Sequence, residues 1–305
     1  MGPATHDQGL AAFFSVRPRL FGIAYRMLGS AAEADDLVQD VWVRWQTTDR
    51  SSVQDPPSYL ATTATRLAIN LIQSARARRE TYVGTWLPEP VDTSTDPRLG
   101  AERAEALEFA VLLLLEKLTP AERAAYVLRE AFDYAHEQIA EVLQVSEDNA
   151  RQLVSRARRH ITEGRRRPVT SAQQCLLLEK FVAAAQDGDL AALERLFASD
   201  VVSYSDGGGV VRAAQKPVSG RERVAKFISA VTHFWTGVTL SFVEANGQGC
   251  VLMSRDGDVV TMATVGASDH GIDQIMWFMR PSKLAGISLS AHRLRGAHPR
   301  EAAAG

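Results

Sequence analysis

The chain is short of cysteine and of long apolar runs, and its charges nearly cancel. Cys175 and Cys250 are the only two cysteines in 305 residues. Two make no disulfide framework, so each is read as a small buried apolar side chain in a reducing compartment. The most apolar run, Phe109–Leu115, falls far below the ~20 residues that cross a bilayer. No basic segment followed by an apolar core stands at the N-terminus, so no signal peptide is expected and the expected location is cytoplasmic. A formal net charge of −2 gives no global attraction to nucleic acid, and any basic surface must be local. What remains, 46% hydrophobic and 23% charged residues, is soluble globular material for two or three small domains.

Local basic surface is found in Leu118–Ile161. Thr119, Pro120 and Glu122 spell a capping box with proline at the first helical position. A second helix runs through Ile139, Ala140 and Leu143, and Gln144-Val145 turns the chain towards Ser146, a good N-cap. In the helix that follows, Ala150, Leu153, Val154, Ala157 and Ile161 form one buried stripe. Opposite them stand Arg151, Gln152, Ser155, Arg156 and Arg159. From Arg151 to Arg167 there are seven arginines and one acid, Glu163, which is more lopsided than a merely solvated face. Such a helix suits the major groove, where Arg and Gln read base edges and further Arg hold phosphates. Gln144 stands where a residue with positive φ, usually Gly, is needed, at a cost of about 1 kcal/mol.

Helical patterning also covers the start of the chain. Phe13, Phe14, Leu20, Ile23, Ala24, Met27 and Leu28 form an apolar face that ends at Gly29-Ser30, and Ser30 with Glu33 spells another capping box. The next helix buries Leu37, Val38, Val41, Trp42 and Trp45. Its Asp36, Gln39, Asp40 and Arg44 read either as ordinary helix-terminus chemistry or as a charged surface for a protein partner. After Asp55-Pro56-Pro57 comes a helix with Leu60, Ala64, Leu67, Ala68 and Leu71 inward. Arg66, Asn70, Arg76, Arg78 and Arg79 lie outward with no acid between Ser58 and Arg79, a pattern suited to polyanions.

Taken together these segments resemble the extracytoplasmic-function (ECF) sigma factors, specificity subunits of bacterial RNA polymerase. ADDLVQDVWVRW (Ala34–Trp45) resembles sigma region 2.2, YLATTATRLAIN with ARARR resembles regions 2.3 and 2.4, and LTPAERAAYVLRE with the helix-turn-helix resembles region 4. The resemblance implies that Asp36, Gln39, Asp40 and Arg44 dock on core polymerase, a partner through its β′ and β subunits. It implies that Arg66, Asn70, Arg76, Arg78 and Arg79 capture melted minus-ten DNA, and that Arg151, Gln152, Ser155, Arg156 and Arg159 read the minus-thirty-five duplex. Taking a base out of its stack costs a few kcal/mol, so the polymerase is expected to be needed for melting.

The boundaries expected are a region 2 domain over 8–82, a linker over 83–105, a region 4 domain over 106–166, a further domain over 171–290 and a disordered tail over 291–305. In the linker, Pro88, Pro90 and Pro97 interrupt helical periodicity. Trp86, Leu87 and Pro88 of WLPEP are large apolar groups in a polar setting. Beyond a basic hinge, Arg165–Arg167, Pro168 and Ser171, helices are predicted at Ala172–Ala185, Leu190–Phe197 and, after a Ser219/Glu222 capping box, Arg221–Phe234. Strand-like runs follow, separated by Asn246-Gly247, Asp256-Gly257 and His270-Gly271, so the expectation is an α+β domain with an antiparallel meander. It resembles the cone-shaped SnoaL-like (NTF2-like) fold, and WLPEP with Asp206-Gly207-Gly208-Gly209 resembles the sigma subgroup that carries such a domain. Val210 stands where that subgroup has Lys, and Arg280–Leu284 where it has Asn-Pro-Asp-Lys-Leu. The resemblance implies that Trp86, Leu87, Pro88, Asp206–Gly209, Lys283 and Leu284 form a regulatory contact in cis, with no separate anti-sigma factor required.

Asp206, His233, Asp269 and His270 have the chemistry for acid–base work. Each has a simpler reading as turn, hairpin tip or core histidine, so no catalysis, cofactor, metal or membrane is expected. Room for a small ligand in the last domain stays open. Two other readings are a DNA-binding regulator that never joins polymerase and a SnoaL-like enzyme fused to a DNA-binding module.

Overall fold

A computed structural model describes residues 3–93, 108–164 and 166–287, leaving aside the side chains of 3–8, 74–78 and 80. The expected tail over 291–305, linker residues 94–105 and Arg165 of the hinge lie outside the described residues. Contacts divide the chain into two units, Met1–Pro90 with Asp96–Arg167 and Val91–Thr95 with Pro168–Gly305.

In the first unit three long helices form because apolar stripes and caps agree. Helix α1 (Pro3–Leu28) packs on α2 (Ala31–Thr47) and α3 (Pro56–Glu80). Ser30 caps α2 by accepting from Glu33 N at 3.2 Å, and Asp55 caps α3 ahead of Pro56. Leu20, Ile23, Met27, Leu37, Val41 and Leu60 are buried between them. Trp45 is buried and its indole N–H donates to Gly9 O at 2.8 Å. Phe14, expected inward, is 58% exposed beside Phe13 and Trp42. Phe13 already fills the inward position, and the next residue on a helix points elsewhere.

The same unit continues with α4 (Phe109–Leu115), α5 (Pro120–Tyr126), a widened helical turn at Val127–Ala131, α6 (His136–Leu143) and α7 (Glu147–Gly164). Both bonds of the Thr119/Glu122 capping box form. Ala150, Leu153, Val154, Ala157 and Ile161 are all buried, the stripe expected of α7. Gln144 ends α6 with φ 57 and ψ 47, the left-handed conformation expected at the turn.

Arginines fasten α4–α7 to α1–α3. Arg123 is fully buried; its Nε donates to Arg26 O at 3.0 Å and its guanidinium pairs with Glu116. Arg79 of α3 pairs with the same carboxylate and also donates to Leu28 O. Arg19 donates to Phe132 O at 3.2 Å and lies 5.0 Å above the Tyr134 ring. A buried guanidinium without acceptors is costly, so these pairings specify which surfaces meet.

The second unit begins with α8 (Ser171–Asp187) and α9 (Leu190–Leu196), followed by β1 (Phe197–Asp206), β2 (Val218–Ser219) and α10 (Arg221–Ala230). Then come a 3-10 turn at Thr232–Trp235, β3 (Thr239–Ala245), β4 (Gln248–Arg255), β5 (Asp258–Ser268), β6 (Gly271–Phe278) and the short α11 (Pro281–Leu284). The sheet has the order β2-β1-β6-β5-β4-β3. Strands β3 to β6 are the antiparallel meander expected, but β1 pairs parallel with β6, so the sheet is mixed. Helices on one such sheet are the α+β arrangement expected of a SnoaL-like domain.

Two local expectations are corrected. β1 begins at Phe197, where helix was expected to end; its partner β6 lies some seventy residues on, so local pattern gives no sign of it. The Ser219/Glu222 capping box is not made. Ser219 pairs with Val202 in the sheet, and Gly220 (φ 93) is the N-cap, without a side-chain bond. Gln174 ties α8 to the sheet, donating to Gly249 O at 3.0 Å and Val265 O at 3.1 Å while accepting from Gly249 N. Cys250 is buried, which pushes its thiol up to about 12, whereas Cys175 is only half-buried. Neither is an activated nucleophile at neutral pH.

Replacing Gln144 by Gly relieves the left-handed strain at the turn. Gln144→Gly is expected to stabilise the first unit by about 0.5–1 kcal/mol, read as a higher urea midpoint by circular dichroism.

Candidate nucleic-acid interface

Helix α7 buries its apolar stripe, which leaves Arg151, Gln152, Ser155, Arg156 and Arg159 together on the exposed side. Arg151 donates to Glu147 at 2.6 Å, one turn earlier, and Arg156 donates to Gln152 at 3.2 Å. Ser155 and Arg159 have no side-chain partner among the described residues. An exposed i,i+4 ion pair is worth a few tenths of a kcal/mol, so the Arg151 side chain can leave Glu147 at little cost. Arg158 points elsewhere and donates to Glu130 at 2.8 Å.

On α3, Arg66 and Asn70 are exposed one turn apart. Arg66 Nε donates to Val142 O at 2.9 Å and its Nη2 to Glu141 O at 3.0 Å, both at the C-terminal end of α6. A cation there meets unsatisfied carbonyls and the negative end of the helix dipole. Arg76 and Arg78 have side chains outside the described residues. Arg79, expected in the same DNA set, is occupied by Glu116, Leu28 O and the Trp86 ring, 3.7 Å from its guanidinium carbon. It acts as a strut, because a half-buried guanidinium settled on three partners has no donor surface to spare.

Asp36, Gln39, Asp40 and Arg44 are all exposed on α2. The start of that helix is held by a residue sequence reasoning missed. Glu89 accepts from Ser30 Oγ at 2.9 Å, Ala31 N at 2.8 Å and Ala32 N at 3.3 Å, so a carboxylate sits on the positive helix end. Its own backbone is fixed as well, with Glu89 N donating to Gly29 O at 2.8 Å and Tyr25 Oη donating to Glu89 O at 2.6 Å. Gly29 (φ 69) must be glycine for a second reason, since a Cβ there would lie 2.7 Å from the Trp86 ring. Leu87 and Pro88 are buried. WLPEP announces an extended segment in the sequence, but not that its acid serves a helix start nearly sixty residues earlier.

The next linker residues belong to the second unit. Val91 N donates to Asn246 Oδ1 at 2.8 Å and Val91 O accepts from Asn246 N at 2.9 Å. Thr93 Oγ1 donates to Glu244 at 2.9 Å and accepts from Gly247 N at 2.9 Å. Asn246-Gly247 was read as a hairpin turn, which it is, with φ of 54 and 69. Its capture of the linker left no sequence signal.

Asp206 and Lys283 are committed to each other. Lys283 Nζ donates to Asp206 Oδ2 at 2.7 Å, with the carboxylate fully buried, and Leu284 is buried beside Lys283 in sequence. Gly207 cannot carry a side chain, because a Cβ would lie 2.3 Å from Val211 O, and Gly208 and Gly209 have φ of 58 and 73. The four residues considered for acid–base chemistry do not converge. Asp269 and His270 are exposed at the β5–β6 tip, and His233 lines a cavity that Asp206 does not.

Comparisons with known proteins agree with this geometry. Residues 13–78 match the family model for Sigma-70 region 2, and residues 108–161 match that for Sigma-70, region 4. The chain belongs to the ECF RNA polymerase sigma factors, and is therefore a transcription initiation factor rather than an enzyme. It is similar to the ECF RNA polymerase sigma factor SigJ of Mycobacterium tuberculosis, with 38% identity over 233 residues, 72% of each chain. The crystal structure of that SigJ matches with a TM-score of 0.73 and 31% identity, covering 91% of this chain and 98% of that one. A probable ECF sigma factor, SigI of the same organism, is 32% identical over 73% of this chain and 77% of its own length. No helix among the described residues is long and apolar enough to cross a membrane.

Removing one partner from a buried ion pair leaves the other charge uncompensated. Lys283→Ala is expected to destabilise the second unit by about 3–5 kcal/mol. Asp206→Asn combined with Lys283→Met should recover much of that loss, measured by thermal and urea unfolding.

Proposed function

We propose that this chain directs core RNA polymerase to promoters by reading two DNA elements with two helices. The observation that carries the reading is the exposed Arg151, Gln152, Ser155, Arg156 and Arg159 face of α7, presented because the opposite stripe is buried. It is proposed to read the minus-thirty-five duplex through base edges and phosphates in the major groove. Arg66, Asn70, Arg76 and Arg78 of α3 are proposed to hold the melted minus-ten strand, where basic groups track phosphates and a base is taken out of the stack. Asp36, Gln39, Asp40 and Arg44 are proposed to dock on the polymerase β′ subunit. The place of action is then the cytoplasm, with the transcription machinery.

The bonds from Arg66 to Glu141 O and Val142 O bear on how promoter engagement begins. A guanidinium held by two carbonyls of the helix-turn-helix has to exchange them for DNA oxygens, so minus-ten capture and release of α6 are linked. Modulation in cis is proposed through the linker, without a separate anti-sigma factor. Glu89 holds the start of the polymerase-docking helix, and Val91 to Thr93 are hydrogen-bonded within the second unit, so successive residues serve both units.

Run-off transcription with reconstituted polymerase tests the reading. Arg156→Ala is expected to cost about 1–3 kcal/mol in promoter binding, and Asp40→Arg to weaken core polymerase binding while sparing duplex DNA. Thr93→Val, which removes two linker bonds at constant shape, is expected to change transcript yield. A wild-type chain that starts no RNA at any discrete site overturns the sigma reading. Equal yields from wild type and Thr93→Val overturn the modulation through the linker.

A further inference from the structure

The second unit contains a cavity of about 460 Å³, within the usual span for small-molecule sites. Its walls come from the ends of β1 and β6, from α10, from the 3-10 turn and from the segment that carries Arg212 to Ala214. Phe227, Phe234, Trp235 and Trp277 make it largely aromatic. The two indoles meet edge to face, with ring centres 6.1 Å apart and planes at 71°, which fixes the wall before anything binds.

Against that apolar wall stand three polar groups. Ser205 lines the cavity yet is only 5% exposed, and its hydroxyl makes no hydrogen bond to any described residue. A neighbouring strand residue solves the same problem internally, since Ser203 Oγ accepts from the Trp277 indole at 3.1 Å. A hydroxyl that faces the cavity and is bonded to no protein group is open to a hydrogen bond from whatever occupies the cavity. At the exposed side the lining holds Arg212 and His233, and neither side chain has a partner among the described residues. The lining contains no carboxylate. An unpaired guanidinium at the mouth, with no acid facing it, favours a negatively charged group there.

We propose that this cavity binds a small aromatic carboxylic acid, its ring system against Trp235 and Trp277 and its carboxylate on Arg212, with Ser205 hydrogen-bonding the buried end. A cationic ligand meets no counter-charge in the lining, and a fully polar one leaves four aromatic side chains without apolar contact. A neutral aromatic alcohol fills the same volume but leaves Arg212 without an anion. Carboxylate against alcohol is therefore the discriminating comparison.

The test uses the full chain, with 2-naphthoate and its neutral counterpart 2-naphthylmethanol as probes, followed by quenching of tryptophan emission and by calorimetry. The acid is expected to bind saturably with one site per chain, about tenfold tighter than the alcohol, the margin expected of one charge-assisted hydrogen-bonded pair. Arg212 is exposed and bonded to nothing described, so Arg212→Gln should leave the fold intact. It should bring the acid's affinity down to that of the alcohol while leaving the alcohol unchanged. Ala214→Trp should abolish both by filling the cavity. The proposal is overturned if the acid shows no saturable binding, if it binds no tighter than the alcohol, or if Arg212→Gln binds it as well as wild type does. Binding is read without polymerase, so the outcome is separate from that of the transcription test.

Discussion

Glu116 lies between two arginines, Arg79 from the third helix and the fully buried Arg123 from the fifth. That carboxylate turns one buried and one half-buried cation from a liability into a specification of which helices meet. A guanidinium has five donors in a fixed plane and keeps its charge at any ordinary pH. Each one brought out of water must find acceptors in the right directions. The unit offers them one carboxylate and carbonyls such as those of Arg26, Leu28 and Phe132, and it leaves the arginines of α7 facing out. Which arginines are held inside and which are left exposed follows from where acceptors are available, not from where arginine occurs.

Helix caps carry the organisation one level further. Ser30 alone would have capped α2, but Glu89 brings a full negative charge to three donors at the same helix start. The linker is thereby fixed to the helix that presents Asp36 and Asp40. A few residues on, Val91 and Thr93 bond to the Asn246-Gly247 hairpin through both backbone and side-chain groups. Successive linker residues are thus hydrogen-bonded first within one unit and then within the other.

The second unit combines a sheet packed against helices with an aromatic cavity at its open end. A buried ion pair, Asp206 with Lys283, joins the end of β1 to the short helix α11. The glycines after Asp206 allow the backbone to turn where Val211 O leaves no space for a side chain. Motif residues that suggest surface chemistry in the sequence are used here to close the fold. Of the groups that line the cavity, Ser205, Arg212 and His233 have no side-chain partner among the described residues, and no motif marks Ser205 or Arg212.

Local physics is what the sequence by itself determined. The capping box at Thr119, the N-cap at Ser30, the proline starts, the buried stripe of α7 and the turns at Gln144, Asn246 and Asp256 were legible because they depend on residues within one or two turns of each other. The family was legible for the same reason, since its motifs are runs of consecutive residues. Tertiary structure decided what depends on distant partners. The parallel pairing of β1 with β6, the engagement of Arg79 by Glu116 and the capture of α2 by Glu89 join residues dozens of positions apart, and Ser219 is drawn into a strand beside Val202. Side chains that share a charge or a period look alike in a sequence. Only the fold supplies the acceptors and neighbours that give each one a different task.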